Sequence, residues 1–274
     1  MEIAEFMNIF LAGTYTRPYV FTGEKTTNMK IYLAGEHEVK NGSLADWGGI
    51  DILESFIYAR DNKYFMPLMR HNDVNLILDS GAFTFMSNKD MKLNWEKYVG
   101  EYCEFVLTYG IKLFFELDID VVTGIKHVER LRKIIEQKTG IQPIPVWHKS
   151  RGLDYWKGMV KDYKYVAIGG IVTKEIKRTE HRIFTNLINI AKEHGAKVHG
   201  LGYTNLQGLK KYKFDSVDST SWLYGNRSGT VYKFNGETII QIDKPAGTRL
   251  NARAVAINNF KEWVKFQQYA KRNL

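Results

Sequence analysis

The feature that most constrains the fold is a repeated alternation between short apolar runs and longer charged segments. Each run is rich in β-branched or aromatic residues and ends in small or polar ones, as buried parallel strands do. Segments with the apolar spacing of helices lie between the runs, as in residues 95–109, 125–138, 182–194 and 206–211. There are eight runs: NIFLAGT (8–14), KIYLAGEH (30–37), NLILDSG (75–81), KLFFELD (112–118), QPIPVWH (142–148), YVAIGG (165–170), KVHGLG (197–202) and FDSVD (214–218).

Eight alternating strand and helix signals predict an α/β fold, and more specifically a (β/α)8 barrel of the TIM type. A doubly wound open sheet is the alternative, but no GxGxxG motif follows the first run. The alternation in residues 229–242 around Asn235-Gly236 predicts a β-hairpin, and residues 258–270 predict a closing helix. We expect one domain over residues 1–274, with residues 225–274 as a small hairpin-plus-helix appendage.

Charge and cysteine content limit the class of protein. The 39 basic and 30 acidic residues give a net charge of +9, which fits either a nucleic-acid binder or a solvated surface. Because Cys103 is the only cysteine, the chain has no internal disulfide and no cysteine-based zinc or iron–sulfur site. The N-terminus lacks a signal peptide's basic segment, and no stretch approaches the roughly 18 apolar residues of a membrane span. These observations predict a cytoplasmic protein.

Acidic and small residues follow the predicted strands one after another. Any single one could simply cap the next helix. Acidic groups at the ends of buried strands are costly, however, and in a barrel they would converge on the mouth where active sites lie. We therefore predict an active site from Asp79, Ser80 and Gly81, from Glu116, Asp118 and Asp120, from Trp147 and His148, and from Gly169, Gly170, Gly200, Gly202 and Asp215.

The chemistry that suits such residues is displacement at an anomeric carbon. One carboxylate attacks or stabilises the oxocarbenium-like centre, while a second handles the proton of the leaving group. Glycines at strand ends let a flat ligand approach the backbone, and they also leave a phosphate-binding barrel open. A metal-dependent amidohydrolase would want an HxH pair and a radical enzyme a cysteine triplet, and the sequence contains neither.

In their order along the chain, these motifs resemble the tRNA-guanine transglycosylases, barrel enzymes that exchange guanine for a 7-deazaguanine through a covalent glycosyl–aspartate. LDSGAF (78–83) resembles the family's DSGGFQ segment, and FDSVDST (214–220) resembles its FDCVLPTR segment. The resemblance implies that Asp79 is the general acid/base and that Asp215, at the FD position, is the nucleophile. Asp218 stands where the family has leucine, so we expect it to be a loop, capping or supporting residue.

The same resemblance implies a set of residues that bind the purine. FFELD (114–118) is similar to the family strand whose aspartate contacts the ring and exocyclic nitrogens, and YVAIGGIV (165–172) resembles the AIGGL segment whose backbone contacts the base. PVWHKS (145–150) puts histidine where the family has a base-binding glutamine, with a tautomer that the sequence does not define. The implied base-binding set is Asp118, His148, Gly169, Gly170, Ser80, Gly81, Trp147 and Gly202, and the role of Asp120 is left open.

One departure from the family changes the predicted substrate. A chain with one cysteine cannot form the family's CxCxxC…His zinc motif, so we expect no zinc subdomain, no metal and no other cofactor. This zinc-free form resembles the DNA-modifying branch of phages and bacterial modification islands, which inserts preQ0 or a similar 7-deazaguanine and protects DNA from restriction. The resemblance thus implies a DNA-guanine transglycosylase, with DNA and a 7-deazaguanine as substrates, possible accessory modification proteins as partners, and tRNA as the less favoured nucleic acid.

Binding to DNA would also use the basic residues. We expect Arg227, Lys174, Lys177 and Arg178 to neutralise phosphates, whereas the cluster at residues 210–213 precedes its strand and is expected on the opposite face. Attack at C1′ requires the base to leave the stack, and Phe83, Trp147 and Tyr203 are candidates for stacking on it, or else for core packing. Two rival functions remain open, a nucleoside or glycoside hydrolase with the same carboxylates and a non-catalytic nucleic-acid-binding barrel.

Overall fold

The computed structural model describes residues 28–35, 49–60, 65, 68, 74–82, 84, 93–224, 229–242, 244, 247 and 249–274. Nine strands lie within these residues. They are β1 (Lys30–Ala34), β2 (Ile50–Ser55), β3 (Val74–Asp79), β4 (Val146–Trp147), β5 (Tyr165–Ile168), β6 (Lys197–Gly200), β7 (Ser216–Ser219), β8 (Val231–Phe234) and β9 (Ile239–Ile242).

Strands β1 to β7 form one curled, all-parallel sheet in the order β3-β2-β1-β7-β6-β5-β4, which makes a half-barrel. The predicted α/β class with a parallel sheet is therefore confirmed. Residues 112–118 were predicted as a strand but form only single bridges. In these bridges Leu78 of β3 pairs with Phe114, and Phe115 pairs with Ile144, just before β4.

Six of the predicted strand runs coincide with β1 and β3 to β7, and the run at residues 8–14 lies outside the described residues. Strand β2 was missed because half of IDILES is polar, so the segment does not read as an apolar run. The structure buries Asp51 and Glu54 of this strand and pairs both of them. Asp51 accepts a hydrogen bond from the Asn75 side chain at 2.9 Å, and Glu54 accepts one from the Ser55 amide at 3.1 Å.

Helices follow most strands and cover the outer face of the sheet. The four helices predicted from apolar spacing are confirmed to within one residue at each end. Asparagine side chains cap three helices by accepting from the amide three residues on, from Asn94, Asn205 and Asn251, and each such cap contributes about 1 kcal/mol. Among the described residues no helix combines the length and hydrophobicity that crossing a bilayer requires. The helices are α1 (Phe56–Ala59), α2 (Trp95–Thr108), α3 (Asp120–Thr123), α4 (Ile125–Thr139), α5 (Gly152–Asp162), α6 (Ile183–Glu193), α7 (Leu206–Tyr212) and α8 (Ala252–Asn273).

The sheet is buried on both faces, which explains its nearly continuous apolar strands. Successive side chains point to opposite faces, so Ile31 and Leu33 of β1 join the large core beneath the helices. Tyr32 and Ala34 instead face the inside of the curl. The inner core also contains Leu53, Ile77, Phe115, Ile144, Val146 and Ala167. The inside of the curl is therefore a packed apolar layer, in which each buried Leu, Ile, Val or Phe side chain contributes roughly 1.5–3 kcal/mol.

The C-terminal segment closes the N-terminal edge of the sheet. The predicted hairpin is confirmed as the antiparallel pair β8–β9, and α8 is longer than the predicted closing helix. Phe260, Val264 and Phe266 of α8 join the large core. The Gln267 side chain donates to the carbonyl of Ile31 at 2.6 Å and accepts from the amide of Asp51 at 3.0 Å. These contacts join α8 to the beginnings of β1 and β2.

Candidate active site

The C-terminal edge of the curled sheet brings together carboxyl groups that are far apart in sequence. Asp79 ends β3, Asp118 follows the bridge made by Phe115, and Asp218 lies one residue before the end of β7. The negative charges of Asp218 and Asp118 both act on Asp79 and contribute to its raised pKa. The sequence predicted this grouping for Asp79 and Asp118 but not for Asp218.

Asp79 is a carboxyl group whose ionisation the site opposes. Burial raises its pKa most, the charges of Asp218 and Asp118 add to the rise, and the Gly81 amide, which donates to Oδ2 at 2.8 Å, partly offsets it. The resulting pKa is about 6. Gly81 has a φ of 73°, and a Cβ there would lie 2.9 Å from the Ser55 hydroxyl, so a side chain would disturb this turn. A carboxyl group with such a pKa can both give and accept a proton near neutral pH.

His148 is held between two carboxylates. Its Nε2 lies 2.9 Å from both oxygens of Asp118, and its Nδ1 lies 2.9 Å from Oε2 of Glu175. Burial opposes the charged ring, but the hydrogen bonds of Asp118 and Glu175 and the charge of Asp118 outweigh it and raise the pKa of His148 to about 9. Because carboxylates only accept, both ring nitrogens donate and the ring is an imidazolium at neutral pH. The acceptor atoms available to a base therefore belong to Asp118, not to the His148 ring.

Arg151 draws together the acidic residues that follow residues 112–115. Its guanidinium lies 2.8 Å from Oδ2 of Asp120, 3.5 Å from Oδ1 of Asp118 and 3.6 Å from Oε1 of Glu116. The Arg151 side chain is only 4% exposed, so these contacts are poorly screened by water. Asp118 thus has two cationic partners, His148 and Arg151, which define its orientation.

Asp118, Asp120 and His148 also have the donor atoms of a metal site, all within 4.8 Å of one another. Several of these atoms already have partners, although Oδ1 of Asp120 is buried with no hydrogen-bond partner among the described residues. Nε2 of His148 donates to Asp118, and Arg151 contacts both aspartates. Arg151 and His148 already bring positive charge to the two aspartates, as a metal ion would.

Asp218 is held by two donors from β6 and the turn that follows it. Nε2 of His199 lies 3.1 Å from Oδ1 of Asp218, and the amide of Gly202 donates to the same oxygen at 2.6 Å. Ser216 and Asp218 lie on the inner face of β7, whereas Val217 belongs to the large core under the helices. The Asp218 side chain is 11% exposed, so part of it remains accessible at the edge of the sheet.

The predicted placement of Asp215 is wrong. Strand β7 begins at Ser216, so Asp215 lies at the N-terminal edge of the sheet, away from Asp79. Its carbonyl accepts from the Lys30 amide at 3.0 Å, and its Oδ2 accepts from the Val198 amide at 2.8 Å. Three residues of strand span about 10 Å, so the register of this segment decides which aspartate reaches the C-terminal edge. The match to Phe-Asp in the family motif therefore selected the aspartate that lies at the edge away from Asp79.

The predicted base-binding glycines make room for other side chains of the site. A Cβ on Gly169 would lie 2.9 Å from Cε1 of His148, and a Cβ on Gly170 would lie 2.7 Å from Oε2 of Glu175. These glycines therefore allow the His148–Glu175 pair to pack against the turn after β5. A Cβ on Gly202 would lie 2.3 Å from a methyl group of Val172, so this loop also packs closely.

The predicted stacking residues are part of the core. Trp147 is 3% exposed and donates from Nε1 to the Gly152 carbonyl at 2.8 Å, and Tyr203 is 1% exposed. Phe83 lies outside the described residues. Ser80 is buried, and its carbonyl accepts from the hydroxyl of Tyr98 at 2.6 Å. None of the three described residues presents a free face to a base.

The basic residues divide between the two edges of the sheet. Lys174, Lys177 and Arg178 are exposed in the connection after β5, as predicted, whereas Arg227 lies outside the described residues. Lys213 belongs to the opposite edge, because its Nζ lies 3.5 Å from the carbonyl of Leu274 at the end of α8. Large apolar side chains are also exposed in connections at the C-terminal edge, with Val172 at 63% and Tyr224 at 61%.

Arg151, Glu175 and His199 were missed by sequence reasoning as site residues. Arg151 and Glu175 lie in connections that follow predicted strands, and that position was the available signal. His199 lies between Val198 and Gly200 in KVHGLG, so its side chain points to the opposite face of the strand from Val198, and this polar residue within a strand was the available signal. No protein-family model and no curated protein matches the chain.

Proposed function

We propose that this protein exchanges guanine in DNA for a 7-deazaguanine such as preQ0 through a covalent glycosyl–aspartate. The observation that carries the proposal is the meeting of Asp79, Asp118 and Asp218 at one edge of the sheet, where the pKa of Asp79 is about 6. Double displacement at a sugar carbon needs a nucleophilic carboxylate and a separate proton-transfer group. The three carboxyl groups supply these two functions and a recognition group for the base.

We further propose that the sheet closes as a (β/α)8 barrel around this site. The single bridges from Leu78 to Phe114 and from Phe115 to Ile144 support closure, because residues 113–116 then link the two outer strands of the sheet. Hydrogen bonds accompany the bridges, from the Phe115 amide to the Leu78 carbonyl at 2.9 Å and from the Glu116 amide to the Ile144 carbonyl at 3.0 Å. In that architecture the three carboxyl groups line the mouth.

In the first step, a carboxylate oxygen of Asp218 attacks C1′ of the target nucleotide. The bond from C1′ to N9 breaks, its electron pair leaves with guanine, and protonated Asp79 gives its proton to the departing base. Asp218 replaces Asp215 as the proposed nucleophile because it lies near Asp79, whereas Asp215 lies at the other edge of the sheet. The product of this step is a glycosyl ester of Asp218 and free guanine.

In the second step, the 7-deazaguanine takes the place of guanine. Its N9–H proton passes to the Asp79 carboxylate, and N9 attacks C1′. The bond from C1′ to Asp218 breaks and returns the carboxylate. Asp79 is protonated and Asp218 ionised at the end, as at the start, so the cycle closes without net change in the protein.

Recognition of the base is assigned to Asp118. His148 and Arg151 contact this residue, and a carboxylate only accepts hydrogen bonds. Guanine and its 7-deaza analogues present two adjacent donors, the ring N1–H and the exocyclic amino group. A carboxylate matches this pair, and it rejects bases that present acceptors at those positions.

DNA is the proposed nucleic acid on grounds of charge and of the missing zinc motif. The net charge is +9, and Lys174, Lys177 and Arg178 are exposed after β5, next to the turn that packs on His148. Basic groups at this edge would neutralise phosphates beside the target base. Exposed Val172 and Tyr224 could fill the space that a flipped base leaves in the duplex.

The test is incubation of the protein with radiolabelled guanine and either guanine-containing DNA or tRNA. In parallel reactions without added base, denaturing gels detect a covalent adduct between the protein and the nucleic acid. The proposal expects label in DNA and a covalent DNA–protein adduct, with both lost in Asp218→Ala. Label in tRNA but not in DNA would change the substrate, and abasic sites without incorporation would indicate a hydrolase. Absence of any reaction would contradict catalysis. Nucleoside mass spectrometry of DNA from cells supplied with preQ0 identifies the inserted base.

A further inference from the structure

A chain of buried polar groups runs through the inside of the curled sheet and ends on Asp218. His199 of β6 is fully buried, with Nδ1 2.6 Å from Oγ of Ser216 and Nε2 3.1 Å from Oδ1 of Asp218. The hydroxyl of Tyr165 contacts the same Ser216 oxygen. The sequence predicted no role for His199, Ser216 or Tyr165. Burial of polar groups is costly unless each of them has a hydrogen-bond partner, so the direction of each hydrogen bond can be inferred from the donors and acceptors present.

The hydrogen bonds of this series can all be directed towards Asp218. Burial holds the pKa of Tyr165 well above its usual range, so its hydroxyl keeps the proton and can donate to Ser216. The Ser216 hydroxyl can then donate to Nδ1 of His199, which leaves Nε2 as the nitrogen with the proton. An ionised Asp218 can only accept, and Nε2–H is the donor that it needs.

The ring of His199 is also held mechanically. Phe115 lies edge-on to it at a centroid distance of 5.2 Å, and Tyr32 is tilted against it at 6.1 Å. Packing between two aromatic rings on the inner face restricts rotation about the histidine side-chain bonds. The direction of Nε2 is therefore set by the fold as well as by the hydrogen bonds.

The two oxygens of Asp218 consequently differ. Oδ1 accepts from both His199 and Gly202, while Oδ2 has no hydrogen-bond partner among the described residues. We propose that His199 is a positioning residue that, with the Gly202 amide, holds Oδ1 as the carbonyl oxygen of the glycosyl ester and leaves Oδ2 to form the bond to C1′. This inference rests on the proposed function and deepens it.

The consequence is greatest in the second step. While the ester exists, Oδ1 is a carbonyl oxygen, and negative charge returns to it as the bond from C1′ to Oδ2 breaks. Two donors already directed at Oδ1 stabilise that charge without rearrangement, as an oxyanion hole does. Loss of the His199 donor should therefore slow release of Asp218 from the adduct more than it affects binding of the base, which His199 does not contact.

The matched variants are His199→Gln and His199→Asn. Both keep a polar amide in the buried site, but only glutamine is long enough to place an N–H near the position of Nε2. We expect His199→Gln to stay within about threefold of the wild type. We expect His199→Asn to lower the rate at which a pre-formed adduct is resolved by added base about 10- to 100-fold, with KM for the base unchanged. Equal resolution rates in the asparagine variant and the wild type would overturn the inference.

A spectroscopic measurement tests the same pairing without turnover. Long-range 1H–15N correlation spectra of the full chain should show a proton on Nε2 of His199, and Asp218→Asn should shift that signal. An Nε2 without a proton would overturn the inference. Failure of the proposed function is distinguishable, because the wild type itself would then form no adduct, whereas failure of this inference alone leaves adduct formation intact.

Discussion

The two edges of the curled sheet both carry buried or half-buried aspartates, but Asp79 at one edge has different surroundings from Asp51 and Asp215 at the other. At the N-terminal edge, Asp51 lies 2.8 Å from Nζ of Lys271 and accepts from Asn75, and Asp215 accepts from the Val198 amide. At the C-terminal edge, Asp79 has a single backbone donor and feels the negative charges of Asp218 and Asp118.

The difference separates structural carboxylates from candidate catalytic ones. Pairing each carboxylate with a cation or an amide lowers its cost of burial and holds elements together, as Asp51 does for β2 and α8. At Asp79, burial and then the neighbouring charges of Asp218 and Asp118 raise the pKa into the range useful for proton transfer. Burial raises the pKa of Asp51 as well, so burial does not distinguish the two edges, whereas the neighbouring carboxylates are a feature of Asp79.

The largest expected effect is on the exchange reaction, where the same substitution at each edge compares the two edges directly. Asp218→Asn should reduce incorporation of labelled guanine at least about a thousandfold, because the amide is not a nucleophile that can form the ester. Asp215→Asn should change it less than about threefold. Initial rates at saturating base measure both. The reverse order would restore Asp215 as the nucleophile and refute the assignment made from the structure.

The next effect is on stability at the N-terminal edge. Lys271→Met would leave Asp51 buried without its cation and should lower the free energy of unfolding by about 3 kcal/mol, with exchange per folded molecule unchanged. Urea unfolding followed by tryptophan fluorescence measures this. Lys157→Met, which breaks the exposed pair with Asp154, is the control and should leave stability unchanged within error. An equal loss of stability in both variants would mean that the Asp51–Lys271 pair contributes no more than the exposed pair.

At the C-terminal edge, removal of a carboxylate should stabilise the protein. The pKa of Asp79 rises from 3.8 to about 6 on folding, so its contribution to stability is present below pH 3.8 and is lost as the pH rises through 6. Asp79→Asn should therefore be more stable than the wild type at pH 8 by up to about 3 kcal/mol, a difference that is smaller to the extent that solvent reaches the carboxyl group. The variant and the wild type should be equally stable near pH 4. A variant that is less stable at pH 8 would show that the like charges do not destabilise this edge.

His148 should show a pH dependence of stability that begins at higher pH. Its pKa is raised above 6.5 to about 9, so its contribution is fully present below pH 6.5 and is lost as the pH rises through 9. We expect His148→Gln to be less stable than the wild type by about 2 kcal/mol at pH 6 and by much less at pH 10. Unfolding curves across this range measure the difference. A difference in stability that does not depend on pH would show that His148 is not an imidazolium in the folded protein.

The smallest effect concerns DNA binding. Exchange of Lys177 and Arg178 for glutamine should make the dependence of log affinity on log salt shallower by up to about 2, because each lost phosphate contact removes about 0.9 from the slope. The matched control exchanges Lys210 and Lys211 near the opposite edge and should leave the slope unchanged. Fluorescence anisotropy with a labelled duplex measures both. Equal changes in the two double variants would indicate binding without a preferred edge.

Much of the fold followed from patterns that are local in sequence. Helices such as residues 125–139 were predictable because one apolar face repeats along the segment, and strands such as β5 because their residues are apolar throughout. Strand β2 was not, because burial of Asp51 depends on Lys271, 220 residues away in the chain. A polar strand can be buried when a distant element supplies the counter-charge, and the sequence of the strand does not contain that information.

Asp215 and Asp218, three residues apart, show what the sequence determined and what the tertiary structure decided. The sequence by itself determined the alternation of strands and helices, and with it the edge at which Asp79 and Asp118 meet. Only the tertiary structure placed Asp218, and not Asp215, at that edge, because their positions depend on where β7 enters the sheet beside β1 and β6. It likewise decided the partners of His148 and His199, since hydrogen bonds between strands depend on register, a property of the assembled sheet and not of any one segment.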